Sequence, residues 1–152
     1  MEVEAYLGPD DRAAHSFRGL TPRTATMYGP PGHAYVYLIY GIWNCVNVVT
    51  RPAGEPQAIL LRALEPGLGV DRCNGPGLLC RSLEIDRSSN GIPLTPPDLY
   101  LIDDGFRPAV ITASPRIGVD YAGDWKDRPW RFATDSAHVS KPVLAVSRRS
   151  GG

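Results

Sequence analysis

The chain is poor in several features, and each shortage excludes a class of protein. It has three cysteines in 152 residues, an odd and sparse set that forms neither a disulfide framework nor a Cys-x-x-Cys zinc knuckle. No apolar run approaches the ~20 residues of a membrane-spanning helix. Glu2 and Glu4 stand where a secretory signal would be basic and then apolar. A reduced, cytoplasmic setting without membrane contact or bound zinc is the simplest interpretation.

Net charge is also absent, because 16 basic residues balance 16 acidic ones. This disfavours a protein whose affinity depends only on neutralising phosphates, although an uneven distribution could still create a basic surface. The basic residues are nearly all arginine, the only lysines being Lys126 and Lys141. Arginine suits bidentate phosphate contacts, but genomic base bias would give the same composition. Charge alone therefore leaves nucleic-acid binding open.

Glycine and proline are plentiful instead, at 16 and 15 residues, and indicate short elements joined by turns. Alternating residues predict a half-buried strand over 2–7, and aromatic and branched residues predict an antiparallel meander of strands at 34–40, 43–50 and 57–64. Asp10 is predicted to cap a helical turn, and Pro76 to begin a helix that reaches residue 83. The predicted fold class is α+β, a single domain with a curved antiparallel sheet and a few short helices. Residues 1–142 would form the domain and 143–152 a disordered tail.

Polar side chains within the predicted strands could carry chemistry. Glu4 shares a strand face with Tyr6, because alternate residues project together, and could act as a general base towards water. Arg62 and Asn47 interrupt apolar strands, where each needs a polar partner or a ligand. Glu4 is the predicted partner of Arg62. Two such residues in one meander indicate a shared polar pocket.

Each candidate also has a purely structural explanation when it is taken alone. Glu4 could be a surface glutamate on an edge strand, and the tyrosines of the strands could simply pack the sheet core. His15 could be a structural hydrogen-bonding group. Tyr40 stands at a strand end, where its ring could enter a base stack or be exposed without any role.

Several blocks of the sequence, taken together, resemble the alkyladenine (3-methyladenine) DNA glycosylase family. The most extensive are EVEAYLGPDDRAAHS at 2–16 and YVYLIYG at 35–41. The others lie in order along the chain, at 21–23, 27–28, 31–32, 45–47, 60–66, 74–77, 115–119, 122–125 and 129–132. The resemblance covers nearly the whole chain, and blocks in register are far more specific than any one of them.

The resemblance implies a role for each candidate residue. Glu4 takes the place of the general base for the attacking water, and Arg62 that of the arginine that orients this carboxylate. Asn47 matches the asparagine that crowds the exocyclic amine of guanine, and Tyr40 the residue inserted into the duplex. The walls of the pocket for a flipped-out base would be Tyr6, His15 and Tyr37.

The implied activity is that of a monofunctional DNA glycosylase, a hydrolase of base excision repair that removes alkylated or deaminated purines without metal or cofactor. Flipping a base out of the duplex costs a few kcal/mol, and least for a lesion that pairs badly. Cutting the strand as well would need an amine nucleophile, and Lys126 and Lys141 lie outside the pocket motifs. The expected partner is double-stranded DNA containing damaged purines. The protein would be a monomer associated with the nucleoid of a bacterium.

The chain departs from the family pattern at two places. Family members carry a longer segment before the catalytic strand, whereas Met1 stands three residues before Glu4, and the segment between residues 66 and 74 is short. Such shortening would leave the Glu4 strand unpaired and expose apolar surface. The alternative function is therefore a catalytically weak module that binds lesions or bent DNA. An unrelated small-molecule hydrolase with an aromatic pocket is a third possibility.

Overall fold

The computed structural model describes residues 1–67 and 69–140. The strands are β1 (Glu2–Tyr6), β2 (Ala34–Ile39), β3 (Trp43–Val49), β4 (Ala58–Ala63), β5 (Ile111–Ser114) and β6 (Arg131–Thr134). The helix α1 spans Pro76–Ser82, and 3-10 helices span His15–Arg18, Ala25–Tyr28, Arg87–Ser89 and Asp120–Asp127. The α+β class is confirmed. The predicted tail, 143–152, lies outside the described residues. Within them, no helix has the length and apolar character needed to cross a membrane.

The strands form one sheet in the order β2-β3-β4-β1-β6-β5, with antiparallel neighbours throughout. The predicted meander is confirmed for β2, β3 and β4. The expectation that the Glu4 strand would be unpaired is wrong, because β1 lies between β4 and β6. The strand β6 was not predicted; its residues pair with β1 in the register Glu4↔Arg131 and Glu2↔Ala133. The catalytic candidate therefore stands in the interior of the sheet.

The two faces of the sheet bury different side chains because strand residues alternate in direction. One face is aliphatic and packs against α1; its buried residues Ala34, Val36 and Val46 form a cluster with Leu79 and Cys80 of the helix. The other face is aromatic and polar. Its cross-strand neighbours run Tyr35↔Asn47↔Leu60↔Glu4 over four strands. This second face, called here the tyrosine face, carries the candidate site residues of the strands.

A β-bulge in β4 sets the direction of Arg62. Val3 pairs with Leu61 and Glu2 pairs with Ala63, so Arg62 is the extra residue between them. Bulges bend a strand and redirect a side chain. Here the guanidinium of Arg62 lies within 2.8 Å of the Glu2 carboxylate.

The turn after β1 is organised by Asp11. The Oδ1 atom of Asp11 accepts a hydrogen bond from the amide of Ala13 (3.0 Å), and its Oδ2 atom accepts one from the amide of Leu7 (3.1 Å). The prediction that Asp10 caps this turn is wrong by one residue. Asp11 is fully buried, whereas Asp10 is exposed.

Candidate active site

A cavity of about 140 Å³ lies on the tyrosine face. It is smaller than the ~300–1,000 Å³ of pockets for drug-sized ligands, which suits a group the size of a single heterocycle. Glu4 lies directly behind its wall and has no exposed surface. All the other predicted site residues line the cavity, namely Tyr6, His15, Tyr37, Tyr40, Asn47 and Arg62.

Both carboxylate oxygens of Glu4 accept hydrogen bonds from groups of the cavity wall. The phenol of Tyr6 donates to Oε2 at 2.7 Å, and the backbone amide of Ile117 donates to Oε1 at 2.8 Å. The Nε atom of Arg62 is 3.5 Å from Oε1, close enough for charge attraction but long for a hydrogen bond. The interpretation of Glu4 as a surface glutamate on an edge strand is therefore wrong.

Arg62 has two carboxylate partners: the predicted Glu4, at ion-pair distance, and Glu2, which was not predicted and is the nearer one. Arg62 Nε donates to Glu2 Oε1 at 2.8 Å, and Arg131 Nε donates to the same oxygen at 2.7 Å. Ser140 adds its backbone amide (2.5 Å) and its hydroxyl (2.6 Å). Burial would raise the pKa of Glu2, but the hydrogen bonds from Arg131, Ser140 and Arg62 outweigh it and lower that pKa. Glu2 is thus a buried carboxylate held in its charged form.

His15, Tyr35 and Tyr37 form an aromatic wall. The His15 ring meets Tyr37 edge-on with 4.4 Å between ring centroids, and its Nδ1 atom is 2.9 Å from the Tyr35 hydroxyl. Burial lowers the pKa of His15 to about 4, with further contributions from Arg23 and Arg18. Burial also raises the pKa of Tyr35 to about 12. The wall is therefore uncharged near neutral pH.

Tyr6 is backed by a buried arginine that the sequence analysis did not single out. The guanidinium carbon of Arg116 lies 4.7 Å from the centroid of the Tyr6 ring and 5.0 Å from that of Trp130. Arg116 also makes two hydrogen bonds to the Asp11 carboxylate, at 2.6 and 2.8 Å, and one to the Ala5 carbonyl at 2.9 Å. Asp11 and Arg116 lie in the family-like blocks 2–16 and 115–119, and this was the only indication in the sequence that they matter. Their pairing fixes the loop that contains Ile117, whose backbone amide donates to Glu4.

Asn47 and Tyr40 both line the cavity, but Asn47 is buried and Tyr40 is exposed. Asn47 is buried, and its Nδ2 atom donates to the Tyr35 carbonyl at 3.1 Å, which fixes the amide within the wall. Tyr40 is 90% exposed at the tip of the β2–β3 hairpin. Its φ of 51° and the φ of 69° at Gly41 match the positive values of a type I′ turn. The Tyr40 ring is therefore presented to solvent beside the cavity.

A groove adjoins the cavity and shares His15 and Tyr121 with it. The groove, called here the arginine groove, has a volume of about 780 Å³. Arg12, Arg18 and Arg23 are its charged lining residues, all three exposed, and no carboxylate lines it among the described residues. The near-zero net charge of the chain thus conceals a locally basic surface.

Comparison with known proteins shows the family of the chain. The family model described as methylpurine-DNA glycosylase matches residues 1–138. A relative from Anaeromyxobacter dehalogenans (strain 2CP-1) is 53% identical over 148 residues, which cover 93% of this chain and 69% of the relative. A relative from Myxococcus xanthus is 49% identical (93% and 75% covered), and one from Methanocella arvoryzae is 44% identical (100% and 80% covered). Each is named "Putative 3-methyladenine DNA glycosylase". The chain belongs to the methylpurine-DNA glycosylase family.

Proposed function

We propose that the protein is a monofunctional DNA glycosylase that hydrolyses the N-glycosidic bond of alkylated or deaminated purines flipped out of duplex DNA. Membership of the family supports a DNA glycosylase of base excision repair, and the names of the relatives favour alkylated purines such as 3-methyladenine. The observation that carries the proposal is the buried carboxylate of Glu4 immediately behind a small aromatic cavity.

Glu4 and Arg62 supply the groups that activate water. Each Glu4 oxygen accepts one close hydrogen bond, and a carboxylate oxygen can accept another. A water bound beside Glu4 and Arg62 would accept a hydrogen bond from a terminal nitrogen of the guanidinium and donate one to the carboxylate. Its oxygen forms the new bond to the sugar C1′ as the C1′–N bond breaks, the departing base keeps the bonding electrons, and Glu4 receives the proton. No lysine lines the cavity within the described part of the chain, so the proposed reaction is hydrolysis alone.

The aromatic wall favours a cationic base. An alkylated purine that carries positive charge is attracted to the faces of electron-rich rings, which Tyr37 and Tyr6 offer at this cavity. A protonated imidazole would repel such a base. His15 avoids this because burial keeps its pKa at about 4.

The surface around the cavity suits duplex DNA. Arginines of the arginine groove would contact the phosphates of one strand, next to the cavity that takes the flipped base. The exposed Tyr40 ring would fill the gap that the flipped nucleotide leaves in the stack. Asn47, fixed against the Tyr35 carbonyl, would stand where it disfavours the exocyclic amine of a normal guanine.

The test is base release under single-turnover conditions from a duplex that contains one hypoxanthine or one alkylated purine. The unchanged chain should release the base, and Glu4→Gln should slow release on the order of 10²–10⁴-fold, because general base catalysis contributes about that much. Glu65→Gln is the matched control, since Glu65 is an exposed glutamate just beyond β4, and it should keep the full rate. Release at the full rate by Glu4→Gln would refute the assigned base. Lesion-selective binding without release by the unchanged chain would support a binding module instead.

A further inference from the structure

We propose that Glu2 is a positioning residue for the reaction. It holds the Arg62 guanidinium off Glu4, so that Glu4 Oε1 stays free to accept a hydrogen bond from the attacking water. The inference rests on the proposed function. It concerns a residue that does not line the cavity and that acts only through Arg62.

Glu2 is the closest partner of every polar group around it. It has no exposed surface, and it accepts hydrogen bonds from Arg62, Arg131 and both the amide and hydroxyl of Ser140. Arg62 in turn donates through a terminal nitrogen to the Ser140 hydroxyl at 3.3 Å. The arginine is therefore fixed from the side away from the cavity.

The distances show which carboxylate holds Arg62. Its Nε atom lies 2.8 Å from Glu2 but 3.5 Å from Glu4, and the bulge at Arg62 sets that direction in the backbone. The positive charges of Arg62 and Arg131 balance the negative charges of Glu2 and Glu4. Buried charges that lose a partner are costly, so without the Glu2 charge Arg62 would move to Glu4. It would then bond to the oxygen that has to receive a proton from water.

The experiment compares Glu2→Gln with the unchanged chain. The substitution keeps the size of the side chain but removes its charge. The single-turnover rate of base release should fall on the order of 10- to 100-fold, because small misplacements of catalytic groups have effects of this size. The dissociation constant for lesion-containing duplex should change little, since Glu2 does not line the cavity. In an Arg62→Gln background, Glu2→Gln should cause no further loss of rate, because its effect passes through Arg62.

Two outcomes would overturn the inference. One is an unchanged rate of base release for Glu2→Gln. The other is that Glu2→Gln lowers the rate equally in the unchanged chain and in the Arg62→Gln background, which would mean general damage to the fold. If Glu2→Gln does not fold, Ser140→Ala replaces it, because this variant weakens the hold on both Glu2 and Arg62; it should show a smaller loss with the same dependence on Arg62. A parent chain that releases no base would refute the proposed function, and with it this inference. An active parent with an equally active Glu2→Gln variant would refute the inference alone.

Discussion

Asp11→Ala is expected to destabilise the protein by about 4–6 kcal/mol, from the loss of a buried ion pair and of a turn cap. Both side chains of the Asp11–Arg116 pair are fully buried and joined by two hydrogen bonds. Removing one partner of a buried pair costs about 3–5 kcal/mol, because the other charge stays buried without compensation. The backbone amides of Leu7 and Ala13 also lose their acceptor, which adds about 1 kcal/mol.

The reasoning can be checked with a second substitution. Arg116→Leu in the Asp11→Ala background removes the orphaned charge, so the double variant should be more stable than Asp11→Ala by about 2 kcal/mol, since a buried pair replaced by apolar groups is often neutral. Urea unfolding followed by tryptophan fluorescence is the assay, because the Trp130 ring packs against Arg116. A loss below about 1 kcal/mol for Asp11→Ala, in the range of ordinary substitutions, would refute the argument. So would a double variant less stable than Asp11→Ala.

Two further substitutions test the hairpin tip and the aromatic wall. Tyr40→Asn should stabilise the fold by about 1 kcal/mol, because asparagine tolerates the positive φ better. It should nevertheless slow base release from duplex DNA more than from single-stranded DNA. If Tyr40→Asn and the unchanged chain release the base from duplex at equal rates, insertion of the ring is refuted. The pKa of His15 is about 4, against an ordinary 6.5, so between these values the unfolded chain binds a proton that the folded chain does not. Stability should therefore fall as pH falls from about 6.5 to about 4, by at most ~3 kcal/mol. In urea titrations across this range, His15→Gln should remove much of that loss and His138→Gln should leave it in place.

The strands β2, β3 and β4 and the helix α1 were predictable to within one residue at each end. Their signals are local: runs of branched and aromatic residues, and a proline at the first helical position. Arg62 and Asn47 could be assigned to a polar pocket because that signal is local as well. A polar residue inside an apolar strand needs a partner wherever the strand lies.

The partners themselves were not predictable, because they come from distant parts of the chain. Glu2 was given no role from the sequence, because its partners Arg131 and Ser140 lie far away along the chain. Likewise, β6 has only four residues and little period-2 contrast, so its pairing with β1 depends on the whole sheet. For the same reason Glu4 was predicted as the partner of Arg62, whereas the nearer carboxylate is Glu2, two residues away on the same strand face.

The central position of β1 has a consequence for how the protein moves. Amide hydrogens of a strand bonded on both sides exchange with solvent only when much of the structure opens, whereas those of exposed loops exchange through local fluctuations. Glu4 belongs to the first class. The arginines of the arginine groove lie in the turns and the short 3-10 helix between β1 and β2 and belong to the second. In the proposed function, the rim assigned to DNA can therefore adjust to the shape of a damaged duplex while the proposed general base stays fixed.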